Sequence, residues 1–252
     1  MEIVIIGTGN TATVLGKKLK MAGHKIVQVY GRNKILASEL GFILNTEFTT
    51  SCDEIVKTAE IYIVAVNDEA IEEVVNNLHF PGKIVVHSAA SVSKDVLRNV
   101  SAQMGVFYPL QSLKKDFANI PITPIILDAN DNLTLEKLKT LAYSISDQVV
   151  HLTEKDRLKL HLAAVFCNNF VNHIYVLIED YCKKEHLDFN LLLPLVQETS
   201  ERICISSAKD LQTGPAIRND TTTIEKHMIM LHDYPHLINL YRVLTNSIQT
   251  FN

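Results

Sequence analysis

Four groups of residues in this chain have the types and spacing to do chemistry. The first is Gly7-Thr8-Gly9-Asn10-Thr11-Ala12. A glycine at the first of these positions permits a sharp turn, a second one without a Cβ lets a pyrophosphate approach the backbone, and a small third residue lets a helix pack on the preceding strand. Free N–H groups and the dipole at that helix start then favour a phosphate. The second group is Arg32 with Asn33 and Lys34, where an NAD-binding unit places an acid for the ribose hydroxyls. No acid stands there. A guanidinium clamps a 2′-phosphate in a bidentate fork, so NADP(H) is the expected cofactor; the alternative is a solvated loop cation and a weak preference.

The third group is His161, Asn168 and Asn172, spaced seven and four apart. In one continuous helix they fall within an arc of roughly 40°. Buried polar groups cost about 1–3 kcal/mol unless hydrogen-bonded, so their partners are either protein groups or a ligand. The fourth group is the loop Leu211 to Asp220 with its late Gly214 and Arg218, followed by Thr222, Glu225 and His227. Thr222 and Glu225 have capping-box spacing and predict a helix start. Arg218 with backbone N–H groups can fix an anionic substrate; alternatively the loop is a rigid turn with Arg218 paired to Asp220 or Glu225. His227 is the candidate proton donor, with His161 as its rival, because imidazole titrates near neutral pH. Asn168 suits polarisation of a carbonyl or imine. No HExxH is present, and no metal is expected.

These residues need elements to hold them. Ile3 to Ile6 is a β-branched run suited to a strand buried on both faces, and Leu15, Leu19 and Ala22 follow at helical spacing. Further strands are expected at Lys25 to Tyr30, Ile61 to Val66 and Lys83 to His87. Asn67-Asp68 signals a helix through Val75, and small residues from Ser88 to Ala90 leave room for a ligand. Weaker strands are read at Val106 to Tyr108, Ile122 to Leu127 and Gln148 to Leu152, with a helix from Leu133 to Ile145. This alternation predicts an α/β, doubly wound, Rossmann-like sheet over residues 1–152. Ligands lie beyond the carboxyl ends of such strands, so Gly7 to Thr11, Arg32, Asn33, Val66, Asn67 and Ser88 should converge on one crevice.

From Thr153 strand-like runs vanish and leucine dominates, which predicts an all-α domain over 153–252. Its longest helix, Glu154 to Lys184, would span on the order of 45 Å and is apolar almost all round. Such a helix is buried on every side, which in a small domain points to a partner subunit and a homodimer. Further helices are expected at Phe189 to Ala208, Thr222 to Leu231 and His236 to Thr250.

The 252 residues are 47% hydrophobic, which allows well-filled cores in two domains. A net charge of −4 offers no basic field for nucleic acid. No secretion signal is read at Met1-Glu2, and no uninterrupted apolar run approaches the roughly 18 residues of a membrane span. Cys52, Cys167, Cys182 and Cys204 are widely separated and read as thiols of a reducing cytosol, which makes a cytoplasmic protein the expectation.

Gly7xGly9Asn10xAla12, His87-Ser88, Tyr108-Pro109-Leu110-Gln111, the segment from His161 through Asn168-Asn169-Phe170, and Thr213-Gly214-Pro215 with Arg218-Asn219-Asp220 and His227 together carry a resemblance. Over nearly its full length the chain resembles a family with a Rossmann-like N-terminal domain and a C-terminal helical domain of unknown function, in the superfamily typified by 6-phosphogluconate dehydrogenase. Relatives by fold include pyrroline-5-carboxylate reductase, ketopantoate reductase and the deazaflavin-linked NADP oxidoreductases. The resemblance implies a dimer with a cofactor cleft between domains and supplies no reaction. The β-hydroxyacid dehydrogenases of this superfamily carry a catalytic lysine three residues before their paired asparagines; Val165 stands there instead. The expected function is an NADP(H)-dependent oxidoreductase moving a hydride to or from a small polar or anionic imine or carbonyl. The alternative is a dinucleotide-binding sensor or scaffold without turnover.

Overall fold

Ile3, Val4, Ile5 and Ile6 are fully buried and form most of β1 (Glu2–Ile6), an inner strand of the sheet in the computed structural model, which describes residues 1–116 and 121–251. The chain continues through α1 (Asn10–Met21), β2 (Lys25–Tyr30), α2 (Lys34–Leu44), β3 (Glu47–Thr49), β4 (Ile61–Val64) and α3 (Ile71–Val75). Then come β5 (Ile84–His87), β6 (Gln103–Pro109), β7 (Ile125–Ala129), α4 (Asn132–Tyr143) and β8 (Val149–His151). The sheet order is β3-β2-β1-β4-β5-β6-β7-β8. Strands β1 to β6 pair in parallel, whereas β7 runs against β6 and carries β8 parallel to itself. The order through β6 is the doubly wound dinucleotide-binding one, with its reversal between β1 and β4.

Alternation along β1 sends Ile3 and Ile5 into one core layer with Leu15, Leu19 and Leu40, and Val4 and Ile6 into another with Tyr62, Val64 and Ile71. Both faces are therefore covered, as the unbroken apolar run requires. The expected strand from Ile122 begins only at Ile125, because Pro121 and Pro124 cannot donate to a ladder. Helix α2 is capped by Asn33, whose Oδ1 accepts from the Ile35 and Leu36 N–H groups at 3.0 and 3.2 Å. Asp131 caps α4 by accepting from the Thr134 N–H at 2.8 Å.

By packing, the chain divides into Met1–Phe166 and Cys167–Asn252. Helix α5 (Glu154–Ala164) begins where the texture changes yet belongs to the sheet unit, which it enters through the fully buried Arg157. Val165–Phe170 then forms a π-helical turn before α6 (Val171–Lys184). Its i→i+5 pattern takes later side chains out of α-helical phase. The expected single line of His161, Asn168 and Asn172 is thus broken, and Asn168 and Asn172 are exposed rather than buried.

The helical run Glu154–Lys184 is long and apolar enough, by length and composition alone, to cross a membrane, although polar residues interrupt it. None of its apolar window is buried within the chain. Leu158, Leu162, Phe166, Phe170 and Val176 are each half or more exposed.

The second unit adds α7 (Leu193–Ile203), α8 (Thr221–Met230) and α9 (Pro235–Thr250). The expected helix from Phe189 is a 3₁₀ turn followed by α7, which ends at Ile203. Asp220, not Thr222, caps α8, accepting from the Thr223 N–H at 3.1 Å. Among this unit's described hydrophobic residues only Cys182, Ala216 and Leu237 are buried.

Candidate functional site

The β1–α1 turn shows why each glycine is there. Gly7 has φ +127°, and a Cβ on it would lie 2.3 Å from the Ala65 carbonyl oxygen. Its N–H donates to the Tyr30 carbonyl at 2.8 Å, so the turn is wedged between the ends of β2 and β4. Gly9 differs. Its φ is −82°, open to any residue, and a Cβ there would meet nothing within 4 Å. The protein itself does not need this position bare; an approaching ligand does. Gly9 is also the N-cap of α1 and no side chain caps that end, leaving first-turn N–H groups for an anion. A dinucleotide diphosphate fits this cradle.

The neighbouring strand ends close around the turn. Gly31 packs so tightly on Thr8 that a Cβ would come within 2.4 Å of its Cγ2. Val66 Cγ1 lies 3.3 Å from the position a Gly7 Cβ would take, and the Ser88 N–H donates to the Val64 carbonyl at 3.0 Å. Asn10 Oδ1 accepts from the Lys115 N–H at 3.2 Å. Gly7, Thr8, Gly9, Asn10, Thr11, Val66, Asn67 and Ser88 thus share the carboxyl-end side of the parallel strands. Arg32 follows β2 on that side, exposed, with Nη1 on Glu73 Oε1 at 3.2 Å. Asn33 follows on the same side, with its side-chain oxygen capping α2.

His161 has a partner that sequence reasoning missed. The Tyr108 hydroxyl, near the end of β6, lies 3.1 Å from His161 Nδ1, with the rings edge to face. Burial pushes the Tyr108 phenol above its ordinary pKa, and the charge of Asp68 adds to this. It therefore keeps its proton. The available signal was Tyr108 standing at the end of a strand on the ligand side.

Close by, Arg157 donates to the Ala90 and Val92 carbonyls at 2.9 and 2.8 Å and to Asp128 Oδ2 at 3.3 Å. Lys94 Nζ contacts both Asp128 oxygens at 3.1 Å. His87, at the end of β5, is fully buried; its Nδ1 accepts from the Ala89 N–H at 3.2 Å, and among the described residues its Nε2 has no hydrogen-bond partner. Burial, and then the charge of Arg157, pushes its pKa down to about 4, so it is neutral.

The helical unit holds the remaining expected residues. Asn168 is exposed on the π turn. Arg218 is exposed, and among the described residues it forms no ion pair with Asp220 or Glu225. His227 Nδ1 lies 2.9 Å from the Tyr241 hydroxyl beside an apolar pocket of about 430 Å³ that Ile174, Ile178, Leu237 and Leu240 help line. Among the described residues no three of His, Cys, Asp or Glu gather as a metal site; His232 and His236, four apart, straddle the turn into α9.

The strand order and the bare, uncapped turn define a Rossmann-like dinucleotide-binding domain followed by a helical one. Residues 2–91 match the family described as NADP oxidoreductase, coenzyme F420-dependent, and residues 123–248 match the domain of unknown function DUF2520. The Bacteroides fragilis protein BF3122, provisionally described as an NADP oxidoreductase, is 38% identical, with TM-score 0.91 over 98% of this chain and 97% of that one. TM1727 of Thermotoga maritima is 22% identical, with TM-score 0.78 over 97% and 100% of the two chains. Pyrroline-5-carboxylate reductase of Streptococcus pyogenes shares the fold at 16% identity, with TM-score 0.67 over 99% and 98%. No curated protein matches the sequence. The chain belongs to the DUF2520 family, in which this helical domain follows a Rossmann-like domain of NADP-oxidoreductase type.

Proposed function

We propose that this protein is an NADP(H)-dependent oxidoreductase acting on the C=O or C=N group of a small polar or anionic substrate. The observation that carries the reading is Gly9, left without a side chain where the protein itself has room for one, at an uncapped helix start. Main-chain amides from Gly7 to Thr11 suit the diphosphate. Arg32 suits the 2′-phosphate, which would replace Glu73 on its guanidinium. Val66, Asn67 and Ser88 border the same side. When bound, the reduced cofactor supplies a hydride. Tyr108 and His161 share one hydrogen bond and can hold or pass one proton between the phenol oxygen and Nδ1. Arg218, exposed on the helical unit, suits an anionic substrate group, Asn168 a carbonyl oxygen, and His227 is the second candidate proton donor. The apolar helical unit suits a second copy of the chain, making a homodimer.

Titration calorimetry with NADPH and NADH tests the cofactor. NADPH should bind about tenfold or more tighter; equal affinities would remove the role of Arg32, and no binding of either would overturn the reading. Val165, in place of the dehydrogenase lysine, favours a second reading in which the protein binds NADPH without turnover. Oxidation of NADPH by any imine or keto acid ends that one.

A further inference from the structure

We infer that Arg157 is a positioning residue, which orients the Tyr108–His161 pair by tying the helix that carries His161 to the loop after β5; this rests on the proposed proton-handling role of that pair. Arg157 is fully buried, and its side-chain hydrogen bonds to the Ala90 carbonyl, the Val92 carbonyl and Asp128 all leave α5. Ala90 and Val92 closely follow Ser88 on the proposed cofactor side. One side chain therefore joins the loop beside the cofactor to the helix bearing the imidazole.

Fold stability alone does not call for such an arrangement. Asp128 already faces Lys94, so one carboxylate serves two cations, and an apolar side chain of similar volume generally serves stability as well as a buried ion pair does. What an arginine adds is direction, because its planar fork accepts only a narrow set of geometries. His161 lies four residues beyond Arg157, one turn along the same face of α5. The π turn begins at Val165, so helical phase is lost just past His161. The orientation of the imidazole is therefore set from its N-terminal side, where Arg157 is the fixed point.

The test uses the full-length protein carrying Arg157→Lys, which keeps the charge and loses the fork. Nuclear magnetic resonance with labelled tyrosine and histidine reads the cross-peak between the Tyr108 and His161 rings. The variant should retain native far-ultraviolet dichroism and lose the cross-peak. An unchanged cross-peak would overturn the inference, whatever happens to the melting temperature. If Arg157→Lys does not fold, Asp128→Asn, which withdraws the charge from the fork at constant shape, is read in the same way, and retention of the cross-peak again overturns the inference. Lys94→Gln is the control and should leave the pair intact. NADPH affinity, measured separately on the wild type, decides the cofactor reading on its own.

Discussion

Gly7 and Gly9 sit two residues apart and answer to different demands. An alanine at Gly7 meets the Ala65 carbonyl and a φ of +127°, so Gly7→Ala should lose about 2 kcal/mol or more of stability by chemical denaturation. Gly9→Leu enters open space and should leave the melting temperature unchanged while abolishing NADPH binding. If Gly9→Leu still bound the cofactor, the diphosphate would have to lie elsewhere.

His87 makes a pH prediction. Its unfolded value is about 6.5 and its folded value about 4, so between these the unfolded chain holds a proton that the folded one does not. Stability is therefore complete above about pH 6.5 and falls as the pH drops toward 4, by at most on the order of 3 kcal/mol. The difference in melting temperature between wild type and His87→Leu should change across that window; a constant difference would refute it. At this scale the glycine turn was legible from type and spacing, whereas the roles read for Arg32 and His161 belong to the proposal. Tyr108 as a partner and Arg157 as a buried anchor were not legible, because their contacts cross 53 and 67 residues and leave no local periodicity.

At the scale of elements, uninterrupted apolar runs were the readable signal. Strands β1, β4 and β5 carry such runs, β2 carries one broken only by Gln28, and all four were placed to within a residue or two. Strand β3 was missed because Glu47–Thr49 is too short to show a pattern. The π turn was invisible because every periodicity argument assumes a constant rotation per residue. Caps were only half legible: Thr222 had the right spacing, but Asp220 holds the helix start. Asp131 is the cap to test, since α4 packs its Leu138 and Leu141 into the sheet core. Asp131→Ala should cost about 1 kcal/mol in urea unfolding; no change would mean that the bond to Thr134 contributes nothing.

For the whole molecule, the contrast lies in where apolar surface goes. The sheet unit buries long lists of aliphatic side chains in two layers, whereas the helical unit leaves Leu191, Leu195, Ile205, Ile229 and Val243 largely exposed. Exposed apolar surface on this scale marks an association site. Light scattering at micromolar concentration should give twice the mass of one chain, and a monomer would remove the homodimer from the proposal. The helical character of this half was legible from leucine content and missing glycine, but what covers it was not, because a single chain's pattern does not name the opposite surface.

The rims of the eight-stranded sheet carry a related consequence. Each is a strand of only three residues, Glu47–Thr49 on one side and Val149–His151 on the other. So short a ribbon offers too few unpaired amides to recruit a stranger's strand, which protects a large, mostly parallel sheet from fibrous growth at its margins.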